Sequence, residues 1–383
     1  MYHRLLKPPS SNRSFFLFGP RGTGKTLWVK THFAKALYLD LLQSNLYNQL
    51  LADPGQLEHL IPKEFSDWVI LDEIQRVPAL LNEVHRLIEE KGYKFILTGS
   101  SARSLRRQGA NLLGGRAGIE HMFPLSAVEL GADFDLKKAL TGGLLPTVWN
   151  TDIDPQYYLE GYIEAYLQQE VAQEALVRQL GDFARFLKIA SLSQGQPVNL
   201  ANIAREVALS RDRVAGYFQV VEDLLIGIHL PPFTRRADRR LVTHPKFYFF
   251  DVGLFQALRP RGPLDSSAEI EGPALETLVL ENIRAVNESL KLGYDISYWR
   301  TSTGLEIDFV LYGPKGFHTI EVKRSRSIGP RDRSAQEAFL KDFPEAKAWI
   351  IYGGDQTLYF DKITAIPFTQ FLMELPKFLM QEV

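Results

Sequence analysis

Residues 19–26, Gly-Pro-Arg-Gly-Thr-Gly-Lys-Thr, have the types and spacing of a phosphate-binding loop. Glycine adopts backbone angles that are closed to other residues, so the loop can turn consecutive N–H groups toward an anion. Lys25 is expected to reach the β- and γ-phosphates of ATP, and the Thr26 hydroxyl to hold Mg²⁺. The predicted ATP-binding residues of this loop are Gly19, Pro20, Arg21, Gly22, Thr23, Gly24, Lys25 and Thr26.

An acidic pair lies farther along the chain, directly after the apolar run 68–71, which is typical of a buried strand. We assign Asp72 to the Mg²⁺ shell and Glu73 to the attacking water, because a hydrolysing site needs both roles beside the phosphates. Lys25 and Glu73 are thus predicted to be catalytic.

A further apolar run at 93–97 predicts another strand, which would carry Thr98 and Ser100 to the same edge as the acidic pair. Either polar side chain could contact the γ-phosphate or the water there. The alternative is a plain turn at the strand end that has no role in the site.

These residues need elements that position them. The apolar run 14–18 precedes the glycine loop and a helical pattern over 27–35 follows it, so the order is strand, loop and helix. Between the acidic pair and the strand at 93–97, apolar residues at helical spacing predict a core-packed helix that ends at Gly92. We therefore expect an α/β domain around the glycine loop.

Five segments in this order resemble the AAA+ ATPases, specifically the bacterial and archaeal branch that carries a C-terminal restriction-endonuclease-like domain. They are the glycine loop, Leu-Asp-Glu-Ile-Gln (71–75), Leu-Thr-Gly-Ser-Ser (97–101), Leu-Gly-Gly-Arg (113–116) and Phe-Pro-Leu-Ser (123–126). The resemblance covers essentially the whole chain. It implies a P-loop AAA+ three-layer α/β domain at 1–130, a helical lid with a winged helix-turn-helix at 131–244, and a PD-(D/E)xK nuclease-like α/β domain at 245–383.

The resemblance also makes Arg116 a candidate arginine finger, a residue that stabilises charge on the phosphoryl group during transfer. Arg103, Arg106 and Arg107 lie close enough in sequence to compete for this role, and a surface salt bridge is the alternative for Arg116. A finger supplied by a neighbouring subunit would make the active species a homo-oligomer, such as a hexameric ring.

The middle segment contains two helical patterns, at 199–207 and from 210 onward, followed by β-like segments at 226–230 and 247–250. This order is typical of a winged helix-turn-helix. Its candidate DNA contacts lie at the start of the second helix and between the β-like segments: Arg211, Arg213, Arg235, Arg236, Arg239 and Arg240. Such arginines would bind phosphates without sequence preference. The alternative is a lid that packs on the ATPase core.

Two strand patterns in the last segment flank a Gly-Pro-Lys-Gly turn, which predicts a hairpin. Because alternate side chains share one face of a strand, this hairpin can bring Asp308, Glu321 and Lys323 together. The two carboxylates could bind Mg²⁺, and the lysine could orient or deprotonate water and stabilise the transition state. These three residues match the catalytic core of the PD-(D/E)xK nucleases.

Glu281, on a helix predicted at 275–290, matches the helix-borne acid that some of these nucleases have. The sequence departs from the family pattern at Ile307, which precedes Asp308 in place of proline. Such domains are also retained as nucleic-acid-binding or assembly modules. An exposed hairpin with a Glu–Lys pair is the plainest alternative.

Bulk composition excludes several classes of protein. The chain of 383 residues has no cysteine, which excludes disulfides, thiolate zinc sites and thiol nucleophiles. No apolar run approaches the roughly 18 residues of a membrane span, and residues 1–9 are too polar for a secretory signal. We expect a cytoplasmic protein with no membrane partner. A net charge of −1 means that DNA binding would need a local basic patch.

Three functions stay open from the sequence. The first is an oligomeric ATPase that hydrolyses ATP with Mg²⁺ in order to remodel or translocate DNA. The second is an ATP-regulated nuclease whose catalytic residues are Asp308, Glu321 and Lys323. The third is a signalling switch that holds ATP in one state and binds protein partners in another. Glu73 and Arg116 favour turnover over static ATP binding, and hence the first two functions.

Overall fold

The computed structural model describes residues 2–100, 112–150, 153–173, 179–234, 244–262 and 266–380. The chain divides into two compact units. The small unit is Leu6–Pro124 with Asp223–Leu225, and the large unit is Leu125–Glu222 and Ile226–Val383 with Met1–Leu5. The division into three domains at 130 and 244 stays a prediction.

Within the described residues, the small unit is built on a five-stranded sheet in which every pairing is parallel. Its strands are β1 (Phe15–Phe18), β2 (Leu37–Asp40), β3 (Trp68–Asp72), β4 (Lys94–Gly99) and β5 (Gly118–His121), in the order β2-β3-β4-β1-β5. The helices are α1 (Lys25–His32), α2 (Ser44–Ala52), α3 (Gln56–Leu60) and α4 (Leu80–Lys91), with 3₁₀ turns at Ile74–Arg76 and Leu112–Gly115. Because β4 lies between β1 and β3, the carboxyl ends of these three strands meet at one edge.

The strands of this sheet are apolar because both faces are covered. Phe16 and Phe18 pack in one buried cluster, whereas Phe15 and Leu17 pack in another on the opposite face. The helix predicted before Gly92 is confirmed as α4, whose apolar side is buried against the sheet. Gly92 ends it in the left-handed conformation at φ 68°, as a helix C-terminus commonly requires.

The large unit contains a two-stranded antiparallel sheet, β6 (Gly227–Leu230) and β7 (Lys246–Phe249). Two helices precede it, and Asn199 caps the first by accepting a hydrogen bond from the Asn202 N–H at 3.1 Å. The helices of the unit are Ala127–Leu130, Leu136–Gly142, Pro146–Asn150, Pro155–Gln173, Leu180–Leu192, Leu200–Glu206, Arg211–Asp223, Val252–Leu258, Ser267–Ser289, Pro330–Asp342, Phe368–Met373 and Leu375–Leu379, with a 3₁₀ turn at Gly131–Asp133.

In the described part of the chain, the large unit also contains a six-stranded mixed sheet. Its strands are β8 (Asp295–Arg300), β9 (Glu306–Gly313), β10 (Gly316–Lys323), β11 (Lys347–Tyr352), β12 (Leu358–Phe360) and β13 (Ile363–Pro367), in the order β12-β13-β11-β10-β9-β8. The predicted hairpin is confirmed, because β9 and β10 pair antiparallel with Phe309 opposite Ile320.

The segment that leaves β6 runs alongside β8. The Phe233 N–H donates to the Tyr298 carbonyl at 2.6 Å, and the Tyr298 N–H donates to the Pro231 carbonyl at 3.0 Å. The Tyr298 hydroxyl donates to the carbonyl of His244, just before β7. These contacts hold β7 next to the strands that carry the predicted acids.

The helix predicted at 275–290 begins earlier, at Ser267. The reason is a capping box, in which the Ser266 hydroxyl accepts from the Glu269 N–H and the Glu269 carboxylate accepts from the Ser266 N–H. The resulting helix tolerates Pro273 in its interior.

In the ranges that the structure describes, no helix combines the length and the apolar character needed to cross a membrane.

His318, fully buried on β10, is held in one neutral tautomer by its neighbours. The indole N–H of Trp349 can only donate, and it points at His318 Nδ1 from 3.3 Å. The Tyr294 hydroxyl donates to the Leu379 carbonyl at 2.7 Å, so it accepts from His318 Nε2 at 3.0 Å. Burial, with a smaller contribution from Lys347, lowers the pKa of His318 from 6.5 to about 4.

We expect His318 to make folding pH-dependent. Its folded pKa lies below its unfolded pKa, so the unfolded chain binds the proton first and stability is lost as the pH falls from about 6.5 to about 4. From pH 7 to pH 4.5 this group should remove about 2–3 kcal/mol from the free energy of unfolding. Urea denaturation at both pH values measures the loss, which His318→Gln should reduce and the exposed control His59→Gln should not. Equal losses in wild type and His318→Gln would contradict the assignment.

Candidate functional site

The phosphate loop connects β1 to α1. Gly22 and Gly24 take positive φ angles of 81° and 94°, which glycine adopts without strain. Lys25, the first residue of α1, is buried, and its Nζ donates to the carbonyls of Gly19 at 2.6 Å and Pro20 at 3.1 Å. The first N–H groups of a helix lack partners within it, so this loop is built to bind an anion.

Gly19 also meets a steric requirement. A Cβ at this position would lie 2.3 Å from the backbone oxygen of Met122, which follows β5. The Met122 N–H donates to the Phe18 carbonyl at 2.7 Å, so the backbone cannot easily withdraw. The close approach fixes the start of the loop against the sheet.

The carboxylate of Asp72 is buried at the end of β3 and accepts hydrogen bonds from three hydroxyl groups. Thr26 donates to Oδ2 at 3.0 Å, Tyr38 donates to the same oxygen, and Thr98 donates to Oδ1. The structure thus brings together Thr26, Asp72 and Thr98, as expected from their predicted positions. Burial and the neighbouring Asp72 raise the pKa of Tyr38, which keeps its hydroxyl protonated and donating.

Tyr38 is a site residue that the sequence analysis missed. It lies on β2, whose pairing places Tyr38 opposite Ile70 and Asp40 opposite Asp72. The short run 37–40 has alternating character, which could have identified a strand ending at the same edge.

The hydroxyl of Thr26 and the carboxylate of Asp72 fit Mg²⁺, because both are hard oxygen ligands beside the phosphate loop. The nearby ammonium of Lys25 is bonded to loop carbonyls, so it does not occupy this pair of ligands. Mg²⁺ held by Thr26 and Asp72 would offset the negative charge of the bound phosphates.

Glu73 has a constrained backbone and a restrained side chain. Its φ of 60° and ψ of 46° lie in the left-handed region, which is uncommon for a residue other than glycine. The amide nitrogen of Gln75 donates both to the Glu73 carboxylate and to the Ser100 hydroxyl, the latter at 3.1 Å. A Cβ on Gly99 would lie 2.6 Å from Gln75 Oε1, so that glycine leaves space for the amide. The sequence analysis assigned no role to Gln75.

Arg116 lies away from the phosphate loop of its own chain. It precedes β5, whose first residue Gly118 pairs with Phe15 at the amino end of β1, whereas the loop follows the carboxyl end. The guanidinium forms an exposed ion pair with Glu89. It also lines a cavity of about 580 Å³ together with Arg13 and Lys94. The competing candidates Arg103, Arg106 and Arg107 lie outside the described residues.

The predicted DNA contacts are described only in part. Arg211 and Arg213 are exposed at the start of helix Arg211–Asp223, and Arg213 lies 3.5 Å from Asp182. The remaining four, Arg235, Arg236, Arg239 and Arg240, lie outside the described residues.

A second group of charged residues, which we call the acid cluster, consists of Glu276, Glu306, Asp308 and Glu321 in the large unit. The structure brings Asp308, Glu321 and Lys323 together on the β9–β10 hairpin, as predicted. The Val322 N–H donates to Asp308 at 2.8 Å, and Lys323 Nζ lies 2.6 Å from Glu321.

Residues of β7 reach into the acid cluster, which the sequence analysis missed. Lys246 forms an ion pair with Glu306, and its Nζ lies 3.5 Å from Asp308 Oδ1. Tyr248, on the same side of β7, donates to Glu276 at 2.9 Å. The signal was present as alternating polar residues in the otherwise apolar run 246–250.

The helix-borne acid of the cluster is Glu276 and not Glu281. Glu281 is buried beside Asp251, and burial together with the neighbouring Asp251 carboxylate raises the pKa of Glu281. Asp251 in turn caps helix Val252–Leu258 and accepts from the Leu144 N–H at 2.8 Å. Glu281 therefore belongs to a different polar group, one that joins helices of the large unit.

Burial shifts the protonation of the cluster. It raises the pKa of Glu276 to about 8, with a further contribution from Asp308. It raises the pKa of Glu321 to about 7, although Lys323 opposes the shift. Burial would lower the pKa of Lys246, but the surrounding carboxylates outweigh it and raise that pKa.

The acid cluster does not fit a resident divalent cation in this arrangement. Throughout the described ranges, no group of three or more His, Asp or Glu side chains is placed to hold a metal ion. Asp308 and Glu321, the predicted Mg²⁺ ligands, each face a lysine ammonium instead.

Comparison with known proteins gives a family match for each third of the chain. Residues 11–131 match a family described as an AAA domain. Residues 133–265 and 271–371 match two domains of unknown function, DUF8612 and DUF4143.

Relatives along the whole chain are distant. An uncharacterized protein of Mycobacterium tuberculosis is 26% identical over 367 residues, which are 93% of this chain and 80% of that protein. One of Methanocaldococcus jannaschii is 21% identical over 367 residues, 86% of this chain and 79% of that protein. A structure of the Aeropyrum pernix ORC1 protein in complex with DNA covers 66% of this chain and 87% of its own at 16% identity, and its TM-score of 0.26 supports no argument.

The AAA family match coincides with the parallel sheet, the phosphate loop and the Asp72 site of the small unit. The chain therefore carries an AAA-type P-loop ATPase domain, which confirms this class as predicted from the sequence. The winged helix and the nuclease-like domain stay predictions.

We expect Gln75→Leu to slow ATP hydrolysis, because Glu73 would lose the amide that holds it next to Ser100. Turnover should fall roughly 10- to 100-fold, as small misplacements of catalytic groups do, while KM for ATP changes little. Steady-state kinetics beside Gln49→Leu, an exposed glutamine of α2, measures the effect. Binding of a fluorescent ATP analogue to Gln75→Leu should match that of wild type, because the phosphate loop and Asp72 are intact. Weakened ATP binding would mean general damage to the unit.

Proposed function

We propose that this protein is an oligomeric ATPase that hydrolyses Mg²⁺-ATP in its small unit in order to remodel or translocate DNA. The observation that carries the hydrolysis step is the Asp72 carboxylate, held against Thr26 at the phosphate loop with Glu73 directly after it. ATP binding alone needs the loop, whereas hydrolysis also needs a carboxylate for the attacking water.

Each residue has a distinct task in this proposal. Lys25 exchanges its bonds to the loop carbonyls for the β- and γ-phosphate oxygens. Thr26 and Asp72 hold the metal ion. Glu73 orients the attacking water and accepts its proton, and Thr98 and Ser100 keep the ends of β3 and β4 together. The apolar strands beneath them keep these positions fixed.

Arg116 supports an active species with more than one subunit. Because it lies at the amino end of the strands, it cannot reach the phosphates of its own chain, yet it is exposed beside Arg13 and Lys94. A neighbouring copy could present its phosphate loop to this basic surface. The ion pair with Glu89 is exposed and screened by water, so Arg116 can exchange it for another partner.

The order of elements in the large unit supports a DNA-binding role. Helices Leu200–Glu206 and Arg211–Asp223 are followed by β6 and β7, an order that suits a winged helix-turn-helix. Arg211 is exposed at the start of its second helix. The connection from β6 to β7 carries the four arginines at 235, 236, 239 and 240. In the alternative function, this segment is a lid over the ATPase.

An ATP-regulated nuclease is the second candidate, favoured by the meeting of Asp308, Glu321 and Lys323 on one hairpin. The arrangement of charges weighs against it, because the acids already have lysine partners. A signalling switch is the third candidate, and the presence of Glu73 makes turnover the simpler function for the site.

The ATPase proposal predicts opposite binding behaviour for two inactive variants. Lys25→Ala should abolish hydrolysis and weaken ATP binding, because the phosphates lose their main cation. Glu73→Gln should abolish hydrolysis but keep ATP bound, because the loop and Asp72 are intact. Phosphate release and binding of a fluorescent ATP analogue measure the two properties. Turnover like that of wild type in either variant would refute the site assignment.

The same assay tests Arg116 by mixing. Arg116→Ala should be inactive alone, but mixing it with Glu73→Gln should restore part of the turnover, because mixed interfaces pair one intact loop with one intact arginine. Arg116→Ala that turns over ATP like wild type on its own, or mixtures that stay as inactive as the two variants alone, would remove the finger from the proposal.

The DNA role predicts a salt-dependent loss of affinity on removal of the four arginines 235, 236, 239 and 240. Replacing all four with alanine should weaken duplex DNA binding and lower the slope of log affinity against log salt by up to about 4, near one unit per phosphate contact. Fluorescence anisotropy between 50 and 200 mM salt, roughly the range in which such effects are large, measures both.

A matched control removes four exposed cations elsewhere in the large unit, Lys315, Arg326, Arg331 and Lys341. It changes net charge equally but should leave the slope nearly intact. Unchanged DNA binding in the arginine variant would mean that these four arginines do not contact DNA and are ordinary solvated residues.

A further inference from the structure

The ammonium of Lys246 is buried in the centre of the acid cluster. Its side chain is 1% exposed, and its Nζ contacts Glu306 and lies 3.5 Å from Asp308. The ring of Tyr298 covers it at 5.3 Å, a distance that allows a cation–π interaction. A buried cation persists only where carboxylates of this kind compensate its lost hydration.

The backbone holds Lys246 in place. It pairs with Leu230 in the β6–β7 sheet and bridges Pro197 on its other side. The pairing on both sides fixes the main chain at Lys246, so its side chain starts from a constant position beside the acid cluster.

The charges of the cluster nearly balance without a metal ion. Lys246 pairs with Glu306 and lies near Asp308, and Lys323 pairs with Glu321. Arg300 adds a third positive charge, 3.1 Å from Glu306. The fourth acid, Glu276, accepts from the Tyr248 hydroxyl. A divalent cation placed here would lie within a few ångströms of the Lys246 ammonium, and in a buried site that repulsion is strong.

We infer that Lys246 is the resident cation of the acid cluster and takes the place of a divalent metal ion, so that the cluster binds no metal while this lysine is present. Removal of Lys246 should leave Glu306 and Asp308 uncompensated and convert the cluster into a metal site for hard cations such as Mn²⁺ or Mg²⁺. This inference concerns the large unit alone and does not depend on ATP hydrolysis.

Calorimetric titration of Mn²⁺ into the full nucleotide-free chain tests the inference. Wild type and Asp308→Asn should give the same isotherm, because the cluster contributes no metal site in either. Lys246→Met should gain about one Mn²⁺ per chain, and Lys246→Met/Asp308→Asn should lose it again. Any Mn²⁺ that binds at Thr26 and Asp72 does so in all variants, so differences between their isotherms report only on the acid cluster.

Thermal denaturation provides a second readout. Lys246→Met should have a lower Tm that Mn²⁺ partly restores, whereas Lys315→Met, the same change at an exposed turn, should show neither effect. A Mn²⁺ site in wild type that Asp308→Asn abolishes would overturn the inference, and so would a folded Lys246→Met that gains no site. If Lys246→Met does not fold, the Mn²⁺ isotherms of wild type and Asp308→Asn still test whether the cluster of the wild-type protein binds a metal ion.

Discussion

The carboxylate of Asp72 joins the parts of the small unit that must meet at the phosphate loop. It accepts from Thr26 on α1, Tyr38 on β2 and Thr98 on β4, while its own backbone belongs to β3. Parallel pairing brings these strand ends to one edge, and the hydrogen bonds fix their side chains there. A change in the position of any one strand end would therefore move the proposed metal ligands and the residue proposed to orient the water.

The two buried groups of carboxylates in this chain are compensated in different ways. Hydroxyl groups satisfy the lone pairs of Asp72 but bring no positive charge, so its negative charge remains for a metal ion. Ammonium groups compensate Asp308 and Glu321, and the negative charge there is already matched. Buried carboxylates need one form of compensation or the other. Neutral hydroxyl donors thus leave a carboxylate suited to bind Mg²⁺, whereas ammonium donors neutralise the carboxylates that they contact.

Local patterns in the sequence predicted the features that depend on neighbouring residues. The glycine loop, the α4 stripe ending at Gly92 and the β9–β10 hairpin follow from spacing and turn residues, and all are present. Contacts between distant elements were beyond such patterns. Tyr38 and Lys246 lie on β2 and β7, and the residues of a strand do not reveal which elements lie next to it in the fold.

The choice between Glu276 and Glu281 shows this limit directly. The two residues lie five positions apart on one helix, so they point about 140° away from each other. Either could be the acid beside Asp308, because the sequence gives their spacing but not the rotation of the helix against the sheet. The structure turns Glu276 toward Tyr248 and Asp308 and turns Glu281 toward Asp251.

The position of Lys246 bears on which of the candidate functions suits the large unit. In a metal-dependent nuclease the Lys246 ammonium would have to leave the acid cluster, where it pairs with Glu306 and lies 3.5 Å from Asp308. Our proposal that the large unit binds DNA therefore does not require that it also cut DNA. ATP hydrolysis in the small unit is then the only metal-dependent chemistry that our proposals require.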